Sequence, residues 1–236
     1  MFDLTLNDID LSSIGCELLR DTRLNLLPRR RRRTLVISGE HGTKFIGPGK
    51  KEPIIFELEI LIEGEDEDTF LENKQSLISL LDHGDGPLRM SLSNRPGKIY
   101  YVAYAGQTSL REWITDAIVT VPMKISTPYS FGEETKELIG NGNAVNRGLD
   151  TVLNLEIIGP ASSPVIQIGG ITALTYEGEI ELGQSLKIDG TEVTLEELNA
   201  LPDISGTLPL ILPSGTTSLS CPDGSPHWSW LEKWDY

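Results

Sequence analysis

The stretch Pro53-Ile-Ile-Phe-Glu-Leu-Glu-Ile-Leu-Ile-Glu63 decides the fold class. Ile54, Phe56, Leu58, Ile60 and Ile62 fall on one side of it. Ile55, Glu57, Glu59 and Leu61 fall on the other. A period of two sends alternate side chains to opposite faces of a strand. The first set is wholly apolar, so the stretch predicts a long strand with one buried face.

The period changes directly after it. Gly64-Glu-Asp-Glu-Asp68 leads into Thr69-Phe-Leu-Glu72, and Thr69-x-x-Glu72 has the pattern of a capping box. Acids at a helix start also suit the helix dipole. Phe70, Lys74, Leu77, Ile78 and Leu81 then share one helical face on which only Lys74 is polar. This predicts one amphipathic helix at about 69–82, ended by the breakers His83-Gly-Asp-Gly-Pro87. Strands are predicted around it at Phe2–Ile9, Thr34–Ser38, Leu88–Leu92, Ile99–Tyr104 and Ile114–Met123, with Lys124–Ser126 as a further candidate. Gly39-Glu-His-Gly42 is a turn signal, Lys44–Ile46 a return strand, and Gly47-Pro-Gly49 a break.

Beyond residue 135 the character changes. Gly140–Gly148 is rich in Gly and Asn and reads as a linker or an opening loop. Short strands then recur between turns: Val152–Ile158, Val165–Ile168, Ala173–Tyr176, Glu179–Leu182, Ser185–Ile188, Leu208–Leu212, Thr216–Ser220 and His227–Leu231. Leu195–Leu201 reads as a single helical turn. Strands of this length and spacing indicate a β-sandwich.

Charge divides the chain in the same way. The net charge is −15 over 236 residues. Residues 133–236 hold four Lys or Arg against sixteen Asp or Glu, and the remainder is close to balanced. The chain is therefore predicted to be mainly β, with an α+β first domain at 1–135 and a β-sandwich at 136–236. No apolar run is long enough to span a membrane. The start, Met-Phe-Asp-Leu-Thr-Leu, lacks the basic flank and apolar core of a signal peptide. Cys16 and Cys221 read as two buried, inert thiols.

Few residues suggest chemistry. His41, His83 and His227 are scattered, and no zinc spacing, phosphate loop or nucleophile motif occurs. No enzyme activity, cofactor or metal is expected. Two surface features carry alternatives. Arg29, Arg30, Arg31, Arg32 and Arg33 form a run that, read alone, is a nucleic-acid footprint. Trp228 and Trp230 share a strand face and, with Trp234 and Tyr236, form a candidate glycan platform. The competing reading packs those rings into the sandwich.

The order of motifs resembles a known family. The motifs are Ser38-Gly-Glu-His-Gly42, Pro53–Glu63, Phe70–Leu81, Gly86-Pro87, Ile99–Tyr104 and Pro128-Tyr-Ser-Phe131. Asn146–Ile168 and Gly183–Asp189 follow in the second half. Together they resemble the distal tail (Dit) proteins of long-tailed phages.

The resemblance implies a structural protein with an N-terminal belt domain and a C-terminal galectin-like sandwich. It implies a hexameric ring with a channel for DNA at the virion tail tip, assembled in the host cytoplasm. The implied partners are the tail-tube protein, the tail-associated baseplate hub protein and receptor-binding proteins, with no membrane and no stable nucleic-acid complex. Galectin sugar motifs are absent: Asn94-Arg-Pro96 lies in the first half, and no Trp precedes a Gly. A carbohydrate-binding adhesion module is the alternative function. In the ring setting, Arg29–Arg33 is expected on a loop at a subunit or tail-partner interface. Glu65, Asp66, Glu67 and Asp68 are the opposing candidates. A solvated loop, or contact with passing DNA, are the other readings of the arginines.

Overall fold

In the computed structural model the alternating stretch forms one ten-residue strand inside a sheet. The structure describes residues 3–19, 30–35, 44–82, 86–125 and 127–235, with backbone alone at 30, 32–35 and 44–50. Two compact units divide the chain: Met1–Ser130 with Asp235–Tyr236, and Phe131–Trp234.

The first unit contains β1 (Leu4–Leu6), β2 (Ile9–Asp10), a 3-10 turn at Leu11–Ile14, and β3 (Cys16–Leu18). Next come β4 (Arg30–Leu35), β5 (Lys44–Lys51), β6 (Ile54–Glu63) and the helix α1 (Glu67–Leu81). β7 (Leu88–Leu92), β8 (Lys98–Tyr104), β9 (Ser109–Glu112) and β10 (Asp116–Ile125) complete it, and β11 (Tyr129–Gly132) leads out. The main sheet runs β2-β1-β7-β8-β10-β6-β3, with β9 also on β10. The predicted opening strand is split by Asn7 and Asp8, both at positive φ, which make a tight hairpin turn.

β6 and β10 pair antiparallel over their whole length, from Asp116 opposite Glu63 to Ile125 opposite Ile54. Ile54, Phe56, Leu58, Ile60 and Ile62 are all buried, as the alternation predicts. Ala117, Val119, Val121, Met123 and Ile125 of β10 join the same core. Each such side chain withdrawn from water contributes about 1.5–3 kcal/mol before the cost of ordering it. The two predicted segments around residue 124 are thus one strand. β9 pairs with residues 117–120 of β10, and β8 with 123–125. Pro122 sits at the junction between them, opposite Glu57 of β6, and its carbonyl accepts from the Ala105 N–H.

α1 begins earlier than its sequence signal. The N-cap is Asp66, whose carboxylate accepts from the Thr69 N–H at 2.8 Å, so the Thr69–Glu72 capping box does not form. That bond stabilises the ionised carboxyl and lowers its pKa from the usual 3.8. A lowered folded pKa means the cap is present above the ordinary carboxyl range and lost on acidification. Asp66→Ala is expected to lower the melting temperature of the first unit by a few degrees, while Asp66→Asn keeps most of it; circular dichroism checks this. The buried stripe is Phe70, Leu77 and Leu80, with Leu81 packed beside it. Ile78, expected inside, is half exposed. The helix is turned by about one position from the predicted face.

In the second unit come β12 (Lys136–Ile139), β13 (Gly142–Asn146), β14 (Thr151–Ile158), β15 (Ala161–Ser162) and β16 (Val165–Ile168). β17 (Ile171–Tyr176), β18 (Glu179–Ile180), β19 (Ser185–Asp189), β20 (Glu192–Leu195) and β21 (Leu198–Asn199) follow. The chain continues with β22 (Ile204–Gly206), β23 (Ile211–Leu212), β24 (Gly215–Ser220), β25 (Ser225–Trp230) and β26 (Lys233–Asp235). One sheet runs β12-β25-β14-β19-β20-β21 and another β13-β24-β16-β17-β22. Both contribute to one core: Leu155, Ile157, Leu186 and Trp228 from the first, Ile166, Leu174 and Leu219 from the second. This is a two-sheet sandwich.

Two local expectations fail in this unit. Gly142–Asn146 is a strand and not a linker, because β24 supplies a five-residue partner. The helical turn falls at Leu201–Asp203, and Leu195 ends a strand instead. Asn146, buried at the end of β13, donates to the carbonyls of Leu149 and Leu212 and accepts from the Gly148 N–H. A buried amide with such partners is no liability to the core.

Candidate assembly surfaces

Arg30–Arg33 lie in β4, not in a loop; Arg29 falls outside the described residues. Pairing overrides the loop expectation. β4 meets β5 with Arg30 opposite Lys51, Arg31 opposite Lys50 and Arg33 opposite Ile46. The register slips at Arg32, and the Gly47-Pro-Gly49 segment stays within β5 rather than ending it. Among the described residues these two strands form a sheet of their own. Arg31 is exposed. At the arm's base Lys51 forms an ion pair with Asp235, and its Nζ lies 5.5 Å from the centre of the Tyr129 ring.

The acidic residues stand at the mouth of α1. Glu65, Asp66, Glu67 and Asp68 are all exposed. Asp66 is committed to its cap, and Glu67 and Asp68 occupy the first turn. A cleft of about 470 Å³ lies here, lined in part by Glu63, Glu65, Asp116, Thr69 and Asn73. Asn73 Nδ2 donates to the Glu63 carbonyl at 2.7 Å and fixes one wall.

Trp228 and Trp230 do share a face, and that face is inward. They are 0 % and 5 % exposed. The Trp228 indole N–H donates to the Gly140 carbonyl at 2.9 Å. Neither ring offers a face on which a sugar could stack. Trp234 is half-buried, and Tyr236 lies outside the described residues.

The two cysteines are as inert as the sequence suggests. Cys16 and Cys221 are free and buried. Burial pushes each thiol up to about 11, and Asp223 adds to the rise at Cys221. Both stay protonated at neutral pH and are poor nucleophiles. His227 Nε2 lies 3.4 Å from a Glu137 oxygen on the neighbouring strand. His41 and His83 lie outside the described residues. Among the described residues no group of three or more His, Cys, Asp or Glu could hold a metal.

One surface went unnoticed in the sequence. β9 has all four residues exposed, and the turn after it carries Trp113 and Ile114, 54 % and 80 % exposed. Lys74 ties this hairpin to α1 through both Glu112 oxygens at 2.9 Å. The sequence reading places Ile114 at the start of a strand, Ile114–Met123, but that strand begins at Asp116 and leaves the Trp-Ile pair in the turn.

Residues 9–116 match the family described as phage tail protein RIFT-related domain. No curated protein matches the chain by sequence. The fold is similar to that of SPP1 Dit, from a hub adsorption apparatus of phages infecting Gram-positive bacteria. The TM-score is 0.77 at 15% identity, over 99% of this chain and 99% of that one. It is also similar to chains of the phage P2 baseplate in its activated conformation. With calcium the TM-score is 0.53 at 9% identity, over 98% of this chain and 97% of the other. With strontium it is 0.56 at 10% identity, over the same shares.

Proposed function

We propose that this chain, whose residues 9–116 match the phage tail protein RIFT-related domain, is a distal tail protein, a structural hub at the virion tail tip. One observation carries the reading: the likeness to SPP1 Dit runs through both units and nearly the full length of both chains. In this reading six copies close a ring around a channel that DNA crosses. The first domain, about 1–135 with the helix α1, makes the ring as a belt. The second, 136–236, is a galectin-like scaffold that holds other tail parts. The ring joins the tail tube to the baseplate hub and the host-adsorption apparatus, receptor-binding proteins among them, after assembly in the host cytoplasm.

The role is structural, not catalytic. The two thiols, buried and protonated, are poor nucleophiles, in keeping with this. The carbohydrate-binding alternative loses its main support, because two of its three tryptophans are in the core.

A closed ring needs a heterologous contact whose rotation closes. Negative-stain electron microscopy of the purified chain is expected to show six-fold rings with a central hole, and light scattering a matching mass. A monomer at every concentration would overturn the proposal.

A further inference from the structure

The β4–β5 arm has an unusual charge. Its fourteen residues, Arg30–Leu35 and Lys44–Lys51, hold seven Lys or Arg and no Asp or Glu. The other residues of the chain therefore carry a net −22. A two-stranded ribbon alone is marginal in water. Like charges at opposing register positions weaken it further, and Arg30–Lys51 and Arg31–Lys50 are such pairs. Lys51 is balanced within the chain by Asp235. An arm of this composition is held most firmly when an anionic surface covers it.

We propose that the β4–β5 arm is a cationic clasp and that its occupant is a second copy of this chain, met at the acidic edge where α1 begins. Charge complementarity selects that occupant. Apart from the arm, a copy of this chain is strongly anionic, so any second copy brings the required charge. The edge at Glu65, Glu67 and Asp68 is exposed, and the cleft beside it adds Glu63 and Asp116. Arm and edge are different surfaces of one chain, so the contact is head-to-tail and repeats from copy to copy. A nucleic acid is the competing occupant, and direct DNA binding distinguishes it. Charge pairs across such a contact set partner and register. This inference rests on the ring reading and names the contact that closes it.

Charge reversal and charge exchange test it. One variant carries R30E, R31E, R32E and R33E. A second carries E65K, E67K and D68K, with Asp66 kept because it caps the helix. The third combines both sets. Circular dichroism establishes that each is folded, and light scattering in about 0.1 M salt reads assembly. Each single reversal is expected to weaken self-association at least about tenfold, and the combination to restore it.

A wild-type ring that tolerates both reversals overturns the clasp and leaves the ring standing. A wild-type monomer overturns both. Loss of the ring in the arm variant without recovery in the combination shows that the arm meets something else. Salt-sensitive binding of a DNA duplex by the wild-type arm, measured by fluorescence anisotropy, would then identify nucleic acid as the occupant.

Discussion

Trp228→Ala is expected to remove about 3–5 kcal/mol from the second unit and to leave the unfolding of the first in place. Trp228 is wholly buried, between Leu138 of β12 and Leu155 of β14 in the strand register. Truncation empties the middle of a two-sheet core, and close-packed neighbours collapse only partly into such a space. The indole N–H is lost as well, so the Gly140 carbonyl gives up its bond. Urea titration followed by fluorescence and circular dichroism should show one transition moved to lower urea and another unmoved. A loss below about 1 kcal/mol would mean that the site refills and that Trp228 is not central to this core.

Gly64→Ala is expected to cost about 3 kcal/mol in the first unit, although the change adds only one methyl group. The backbone of Gly64 needs no special angle; the objection is space. A Cβ there would lie 2.3 Å from the Phe70 nitrogen and 2.6 Å from its Cα. Those atoms are main chain in the first turn of α1 and cannot swing away. The Phe70 N–H already donates to the Asp66 carbonyl, and the Gly64 N–H donates to the Thr115 carbonyl at 2.9 Å. Room comes only by moving the helix start, which draws the buried Phe70 ring outward. Thermal unfolding of the first unit reads the loss, and an unchanged midpoint would show that the turn yields easily.

Features readable in the sequence were those written in local periodicity. The alternation in 53–63 fixes both a strand and its buried face, because side-chain direction in a strand is set residue by residue. The helix is readable for a related reason, yet its rotation is not. Ile78 and Leu80 are both apolar, and only the surface the helix lands on decides which is buried. Its cap was ambiguous because Asp66 and Thr69 are both good capping residues three apart. Strands made by their partners were hidden. Gly142–Asn146 has one large apolar side chain, and β24 makes it a strand from about seventy positions away. The arginine run looked like a loop because its partner, Lys44–Lys51, contains Gly-Pro-Gly. Of the candidate sites, sequence could raise the two readings of the tryptophans; their burial depended on how the sheets stack.

The order of strands in the first sheet has a kinetic consequence. β10 lies between β6 and β8, yet it is the last of the seven to be made. Until residue 125 emerges, β6 has no long partner, and its five apolar side chains face water. Closing Ile54 onto Ile125 and Leu4 onto Leu92 joins distant points of the chain, which slows folding. During that interval an unpaired, alternating strand is a template for wrong pairing with its neighbours. The central strand therefore sets the pace at which folded chains appear.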